Sequence, residues 1–149
     1  MRSRLFFFYG TLTQDHDTVM NRQILPFLQG GRPGFVRGRL LALRAPGGWY
    51  PLLEEGAGRV WGRLYRAGPG FSARHLRMLD SYEAYDPRRP SRSEYVRRRV
   101  RVTVRGEAAV LAEAYVHNRP AHCGLRVVPG GNFAGRAARL RLKVWGSEA

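Results

Sequence analysis

The sequence predicts a single mixed α+β domain over residues 1–149, a strongly bent mixed sheet or small β-barrel with one or two helices against it. Three observations predict it. The 149 residues are 44% hydrophobic and 25% charged, the balance of one packed domain. Such a chain buries roughly two thirds of the surface its unfolded form would expose. Apolar segments of strand length outnumber those with helical spacing, and the links between them are mostly glycine-rich and hairpin-sized, too short for repeated βαβ crossovers. There is no internal repeat, heptad pattern or low-complexity segment.

Residues Arg4 to Tyr9 form an aromatic run broken by Gly10-Thr11, which predicts a fully buried first strand ending in a tight turn. An acidic N-cap at Asp15 or Asp17 precedes Val19, Met20, Ile24 and Leu25 at helical spacing, and Pro26 ends that short helix. Phe35 to Leu43, Trp49 to Leu53 and Arg59 to Arg66 read as three further strands, the first two separated by the Pro46-Gly47-Gly48 turn. Ser72 caps a second helix with Leu76, Leu79 and Tyr82 on one stripe, ending before Pro87. Asp86 to Ser93, with two prolines and three arginines, reads as a mobile surface loop. In the next strand Val96, Val100, Val102 and Val104 share one parity and Arg97, Arg99, Arg101 and Arg105 the other, so a buried face backs a basic outer one. Arg98 falls on the buried parity and must reach a carboxylate, a bulge or solvent. Ala108 to His117 is the hairpin partner across Gly106-Glu107, and Leu140 to Trp145 forms a last strand.

Twenty-six basic residues against 11 acidic ones give a net charge of +15, which raises a nucleic-acid reading. Lys143 is the sole lysine among them, an arginine skew that GC-rich coding produces without selection for phosphate binding. The arginines are spread along the chain, and only valines and Thr103 accompany them on the strand Tyr95 to Arg105, so base stacking lacks a platform. No specific nucleic-acid partner is expected. The lone Cys123 excludes an intramolecular disulfide or a zinc cluster of several thiolates and fits a reducing, cytoplasmic home. No apolar run approaches the 18 or more residues that span a bilayer, and the short stretch Leu5 to Tyr9 is not a complete signal peptide, so no membrane association is expected.

Most familiar catalytic constellations are missing: no G-x-S-x-G elbow, Walker A loop, dinucleotide fingerprint or H-E-x-x-H. His16, His75, His117 and His122 show no metal spacing, and His122 and Cys123 are sequence neighbours that a strand would point to opposite faces. Two features carry chemistry. Phe8-Tyr9-Gly10-Thr11-Leu12 is a buried strand that stops at a glycine, where successive backbone N–H groups can face a carboxylate or oxyanion. Glu83, between Tyr82 and Tyr85 at the end of the second helix, is either a carboxylate desolvated by aromatic walls, suited to general acid–base work, or a solvated helix-end acid paired to an arginine.

In their joint order these pieces resemble the gamma-glutamylcyclotransferase superfamily, most closely its gamma-glutamylamine cyclotransferase branch. Phe6-Phe7-Phe8-Tyr9-Gly10-Thr11-Leu12 is similar to the family's opening Y-G-T-L strand and loop. Tyr50-Pro51-Leu52-Leu53 with Gly58-Arg59-Val60-Trp61-Gly62-Arg63-Leu64-Tyr65 resembles its central hairpin, and Leu79-Asp80-Ser81-Tyr82-Glu83 its L-D-x-x-E segment. Tyr95-x-Arg97, Ala114-Tyr115-Val116 and Val128 to Phe133 match later stretches. The chain departs at Ala84, where the family usually has glycine, and in its longer, more basic loop from Asp86 to Ser93. The resemblance implies a small mixed barrel of about six strands with flanking helices. It implies Glu83 as the catalytic acid/base, with Tyr9, Gly10, Thr11, Leu12 and Tyr115 binding the substrate. The implied reaction is intramolecular aminolysis of a γ-glutamyl amine or related conjugate, releasing 5-oxoproline without metal or cofactor. A non-catalytic module binding a small carboxylated ligand is the alternative.

Overall fold

Phe6 and Phe8 point to one side of the sheet and Phe7 and Tyr9 to the other, and all four are buried, so the first strand has an apolar layer on each face. The computed structural model describes residues 4–118 and 126–145. Its strands are β1 (Leu5–Phe8), β2 (Leu28–Ala45), β3 (Gly48–Ala67), β4 (Tyr95–Val102), β5 (Val110–His117) and β6 (Arg126–Val127). They form one sheet in the order β4-β5-β1-β3-β2-β6. β1 runs antiparallel to β3 and parallel to β5, which makes the sheet mixed. Three helices pack on it. α1 (Val19–Ile24) and α2 (Ala73–Tyr82) bring Ile24 and Leu79 to the Phe6 face, and α3 (Phe133–Leu140) brings Phe133 and Ala137 to the Phe7 face.

The mixed, strongly bent six-stranded sheet is as expected, but it does not close into a barrel. Its far margin curls back until Phe35 of β2 meets Thr103 beyond β4 through two backbone bonds of 3.0 and 2.9 Å, a single bridge. Farther along, β2 pairs instead with the short β6 at Leu41 and Ala42, and β4 has ended at Val102, so no continuous ladder forms across the gap.

Several element boundaries differ from the sequence reading. The strands expected at Trp49 to Leu53 and Arg59 to Arg66 are one strand, β3, in a single long hairpin with β2. Arg37 faces Arg59 and Arg39 faces Glu54, so residues 55–58 bulge outward opposite Gly38; the glycines and glutamates there mark an irregularity within the ladder. Thr18, not Asp15 or Asp17, caps α1, its Oγ1 accepting the Asn21 N–H at 3.1 Å. The two aspartates pair instead with Arg63 and Arg22. The last strand expected at Leu140 to Trp145 is absent: Phe133, Ala137 and Leu140 lie on helix α3, capped by Asn132 Oδ1 accepting the Gly135 N–H at 2.9 Å, and only Val144 bridges β3 at Trp49. The Asp86–Ser93 loop is exposed but internally bonded, with a 3-10 turn at Pro90–Arg92 and Ser93 Oγ accepting the Asp86 N–H at 2.9 Å. Arg98 takes the solvent exit. Arg97 turns inward from the basic parity to Asp80 and Glu113, at 2.5 and 3.1 Å. His122 and Cys123 lie outside the described residues.

Candidate active site

Where β1 ends, the chain turns at Gly10 into a buried loop held from behind by Asn21. The Asn21 amide, itself buried, donates to the carbonyls of Thr11, Thr13 and His16 at 2.7, 3.0 and 2.8 Å. With its carbonyls drawn to α1, the loop leaves the backbone N–H groups of Gly10, Thr11 and Leu12 without hydrogen-bond partners among the described residues. The glycine is required by its neighbour across the sheet: a Cβ at Gly10 would lie 2.7 Å from the ring of Pro51 in β3. The space a side chain would need at this position is taken by Pro51.

α2 supplies the carboxyl. Ser72 opens the helix in a capping box with His75, whose Nδ1 accepts the Ser72 N–H at 3.0 Å. At the other end the N–H of Tyr85 reaches the Asp80 carbonyl at 2.8 Å and that of Ala84 the Ser81 carbonyl at 3.1 Å, the paired bonds of a Schellman motif. Ala84 therefore sits in the left-handed region at φ 51°, where glycine is the usual occupant. This turn sets Glu83 at the helix terminus, facing the cavity.

The cavity, about 210 Å³, brings together every residue singled out from the sequence: Glu83, Tyr9, Gly10, Thr11, Leu12 and Tyr115. Glu83 makes no ion pair or hydrogen bond through its carboxyl among the described residues, so no described arginine pairs with it. Desolvation by its surroundings, with the negative charge of Glu94 adding to it, pushes its carboxyl up to about 8. Burial, and then the charge of Glu83, raises the Tyr9 hydroxyl well above its ordinary value.

Two of the tyrosines are already committed through their hydroxyls. Tyr9 donates to the Tyr115 carbonyl and accepts the Leu53 N–H at 3.3 Å. The Tyr115 hydroxyl donates to Asp80 Oδ1 at 2.6 Å, beside Arg97 on the same oxygen. Both therefore offer rings to a ligand, and Asp80 of the L-D-x-x-E segment anchors α2 to β4 and β5. The Tyr95 hydroxyl is likewise tied to the Pro51 carbonyl at 2.9 Å. Sequence reasoning missed Tyr50, Glu94 and Trp145 as cavity residues, and Asn21 behind the loop. The strand position of Tyr50 and the Thr18 cap beside Asn21 gave no signal for a shared site, because only the tertiary fold gathers them. No group of three potential metal ligands occurs among the described residues.

A family model described as gamma-glutamyl cyclotransferase, AIG2-like, matches residues 6–135, from the first strand into α3. The chain belongs to this cyclotransferase family. Solved structures agree on the fold. YkqA from Bacillus subtilis matches with a TM-score of 0.65 at 18% identity over 94% of this chain and 43% of YkqA, so the chain spans less than half of that relative. An AIG2-like protein from Mus musculus matches at 0.59 and 19% identity over 100% of this chain and 90% of its own. A protein described as a gamma-glutamyl cyclotransferase matches at 0.60 and 15% identity, covering 99% and 91% of the two chains. At these identities the likeness is one of fold. No curated protein matches the sequence. Within the cyclotransferase family the usual glycine after the glutamate now has its physical reason, the left-handed residue of the α2 terminus that Ala84 fills here.

Proposed function

We propose that the protein is a γ-glutamyl cyclotransferase that releases 5-oxoproline from a γ-glutamyl amine or related conjugate, with Glu83 as the single acid/base. The observation that carries this reading is the Glu83 carboxyl, without an ion pair among the described residues, in a cavity shared with the amide-bearing loop 10–12. A γ-glutamyl amide contains its own nucleophile, the α-amine, poised to close a five-membered ring on the side-chain carbonyl. Positioned reactions of this kind gain effective molarities on the order of 10⁵ M or more, so the enzyme's tasks are to fold the substrate and to relay protons between its two nitrogens.

Glu83 in its ionised form takes a proton from the α-ammonium. The freed amine attacks the γ-carbonyl carbon, the new carbon–nitrogen bond closes the ring, and the original amide bond breaks. The proton on Glu83 passes to the departing nitrogen, the second proton of the ring nitrogen follows through the same carboxylate, and 5-oxoproline is left beside the amine in its ammonium form. The free N–H groups of Gly10, Thr11 and Leu12 suit the substrate carboxylate or the oxyanion that develops at the γ-carbonyl. No step consumes a nucleotide or water. An incoming α-ammonium also offsets the desolvation that holds Glu83 neutral, so substrate binding itself favours the ionised base.

Incubating the purified protein with a panel of γ-glutamyl amines and assaying 5-oxoproline tests the reading against the non-catalytic alternative. Turnover of at least one conjugate is expected; binding of 5-oxoproline with no turnover of any conjugate would favour the binding module.

A further inference from the structure

The cavity wall contains a second carboxylate that the proposed reaction does not use. Glu94, immediately before β4, lines the same cavity as Glu83 and accepts the Tyr50 hydroxyl at 3.2 Å. It makes no ion pair among the described residues. A run of contacts leads from the loop to this acid: Thr11 Oγ1 lies 2.8 Å from the Tyr82 hydroxyl, Tyr82 packs on Trp145 at 5.2 Å between ring centroids, and Trp145 meets Tyr50 edge-on at 6.3 Å. Tyr50, Tyr82 and Trp145 thus form an aromatic wall, with the amide-bearing loop at one end and Glu94 at the other. Among the described residues no arginine or lysine lines the cavity. Inside, the sign of the charge is opposite to that of the surface.

We infer that this wall is a subsite for a cationic leaving group: the amine released carries a second ammonium group and no carboxylate, as in the γ-glutamyl monoamide of an aliphatic diamine. The inference rests on the cyclotransferase reading and specifies its substrate class. Aromatic faces attract an alkylammonium through their quadrupoles, most strongly when it is desolvated, and Glu94 supplies the counter-charge. The methylene chain of a diamine is apolar and fits a wall of rings. A leaving group with a free carboxylate would face Glu94 with no cation among the described lining residues to compensate. Glu94 also acts on the reaction centre, since its charge is one of the causes that hold Glu83 protonated. A bound ammonium screens that charge, so the matching leaving group helps to ionise the base.

The test compares three γ-glutamyl conjugates with similar chains: those of cadaverine, of hexylamine and of ε-aminocaproate, carrying a cationic, neutral and anionic end. Rates of 5-oxoproline release are measured for the full chain and for Glu94→Gln. A kcat/KM for the cadaverine conjugate about tenfold or more above the hexylamine one, lowest for ε-aminocaproate, is expected, with the ratio collapsing in Glu94→Gln. Calorimetric titration of the cadaverine conjugate and of free cadaverine gives a second readout that needs no turnover, with about tenfold weaker binding expected in Glu94→Gln. Turnover of all three conjugates at similar kcat/KM would overturn the subsite and leave the cyclotransferase reading intact. An equal loss on all three in Glu94→Gln would also overturn it, because Glu94 would then serve the shared glutamyl half. If no conjugate releases 5-oxoproline the reaction assignment falls, and calorimetry alone decides the subsite: cadaverine affinity equal in both proteins would refute it.

Discussion

Glu83 is neutral in the empty cavity at pH 7, because desolvation and the nearby Glu94 raise its carboxyl to about 8 from an ordinary value near 4.5. That shift links stability to pH. Below about 4.5 the group is protonated in both folded and unfolded chains and contributes nothing to the difference. Between about 4.5 and 8 the folded state holds a proton that the unfolded state has lost, so stability falls as pH rises, and the penalty is complete above about 8. Glu83→Gln removes the titration. A shift from 4.5 to about 8 corresponds to about 5 kcal/mol, so thermal melts should show the variant and the parent alike near pH 4.5 and the variant higher by about 10 °C or more near pH 9. A variant that melts lower than the parent at alkaline pH would contradict a desolvated carboxyl at this position. Of the two aromatic walls read from the sequence, Tyr82 lines the Glu83 cavity while Tyr85 packs on Tyr115 instead, and the glycine turn was legible as a possible amide cradle. Glu94 was not, since it lies among the charged residues of a loop and becomes a cavity wall only when β4 docks beside β5.

At the scale of elements, the terminus of α2 is the part of the molecule that places the base, and it does so through a left-handed alanine. An L-residue with a Cβ in that region costs roughly 1–2 kcal/mol. Ala84→Gly relieves most of this strain and gives back some unfolded-state entropy, so a net gain of about 1 kcal/mol, or about 3 °C in Tm, is expected. Differential scanning calorimetry checks it, and a loss of stability would show that the Ala84 methyl makes compensating contacts. Elements whose pattern is local were readable: the aromatic β1, the Ser72-capped α2 with its Leu76-Leu79 stripe, and the alternating β4. The errors came where one local pattern has two solutions. Arg139-Leu140-Arg141-Leu142 alternates like a strand, yet Phe133, Ala137 and Leu140 satisfy a helical stripe that buries Phe133 and Ala137. Between Leu53 and Arg59 the glycines read as a turn, and the pairing of β2 with β3 absorbs them as an outward bulge.

For the molecule as a whole, most of the described arginines are exposed, whereas the described lining of the cavity carries Glu83 and Glu94 and no cation. Arg98, Arg99, Arg101 and Arg105 are exposed along and beyond β4, while Arg97 and Arg4 together neutralise Asp80 and Glu113 beside the site. No helix among the described residues is long and apolar enough to cross a membrane. Scattered exposed arginines without interleaved aromatic residues should bind RNA or DNA weakly and without sequence preference. Such binding is expected in about 20 mM salt and to vanish near 150 mM, because each neutralised phosphate releases a counterion. Fluorescence anisotropy with unrelated oligonucleotides checks this; tight, sequence-selective binding near 150 mM would restore a nucleic-acid role. The mixed, bent sheet, by contrast, followed from counting strands and links, whereas the third helix α3 and the failure of the sheet to close did not.

The central claim is that one desolvated glutamate moves the proton in a reaction the substrate otherwise performs on itself. The pH dependence of kcat/KM for 5-oxoproline release, measured for the parent and for Glu83→Gln on the best conjugate, tests it most directly. A base must be ionised in the free enzyme, so kcat/KM should rise with pH through an ionisation near 8 and level off above it. In Glu83→Gln that limb should disappear and the rate should fall by about a hundredfold or more while 5-oxoproline still binds. A folded Glu83→Gln protein that turns over at close to the parental rate, with the same rising limb, would contradict the account.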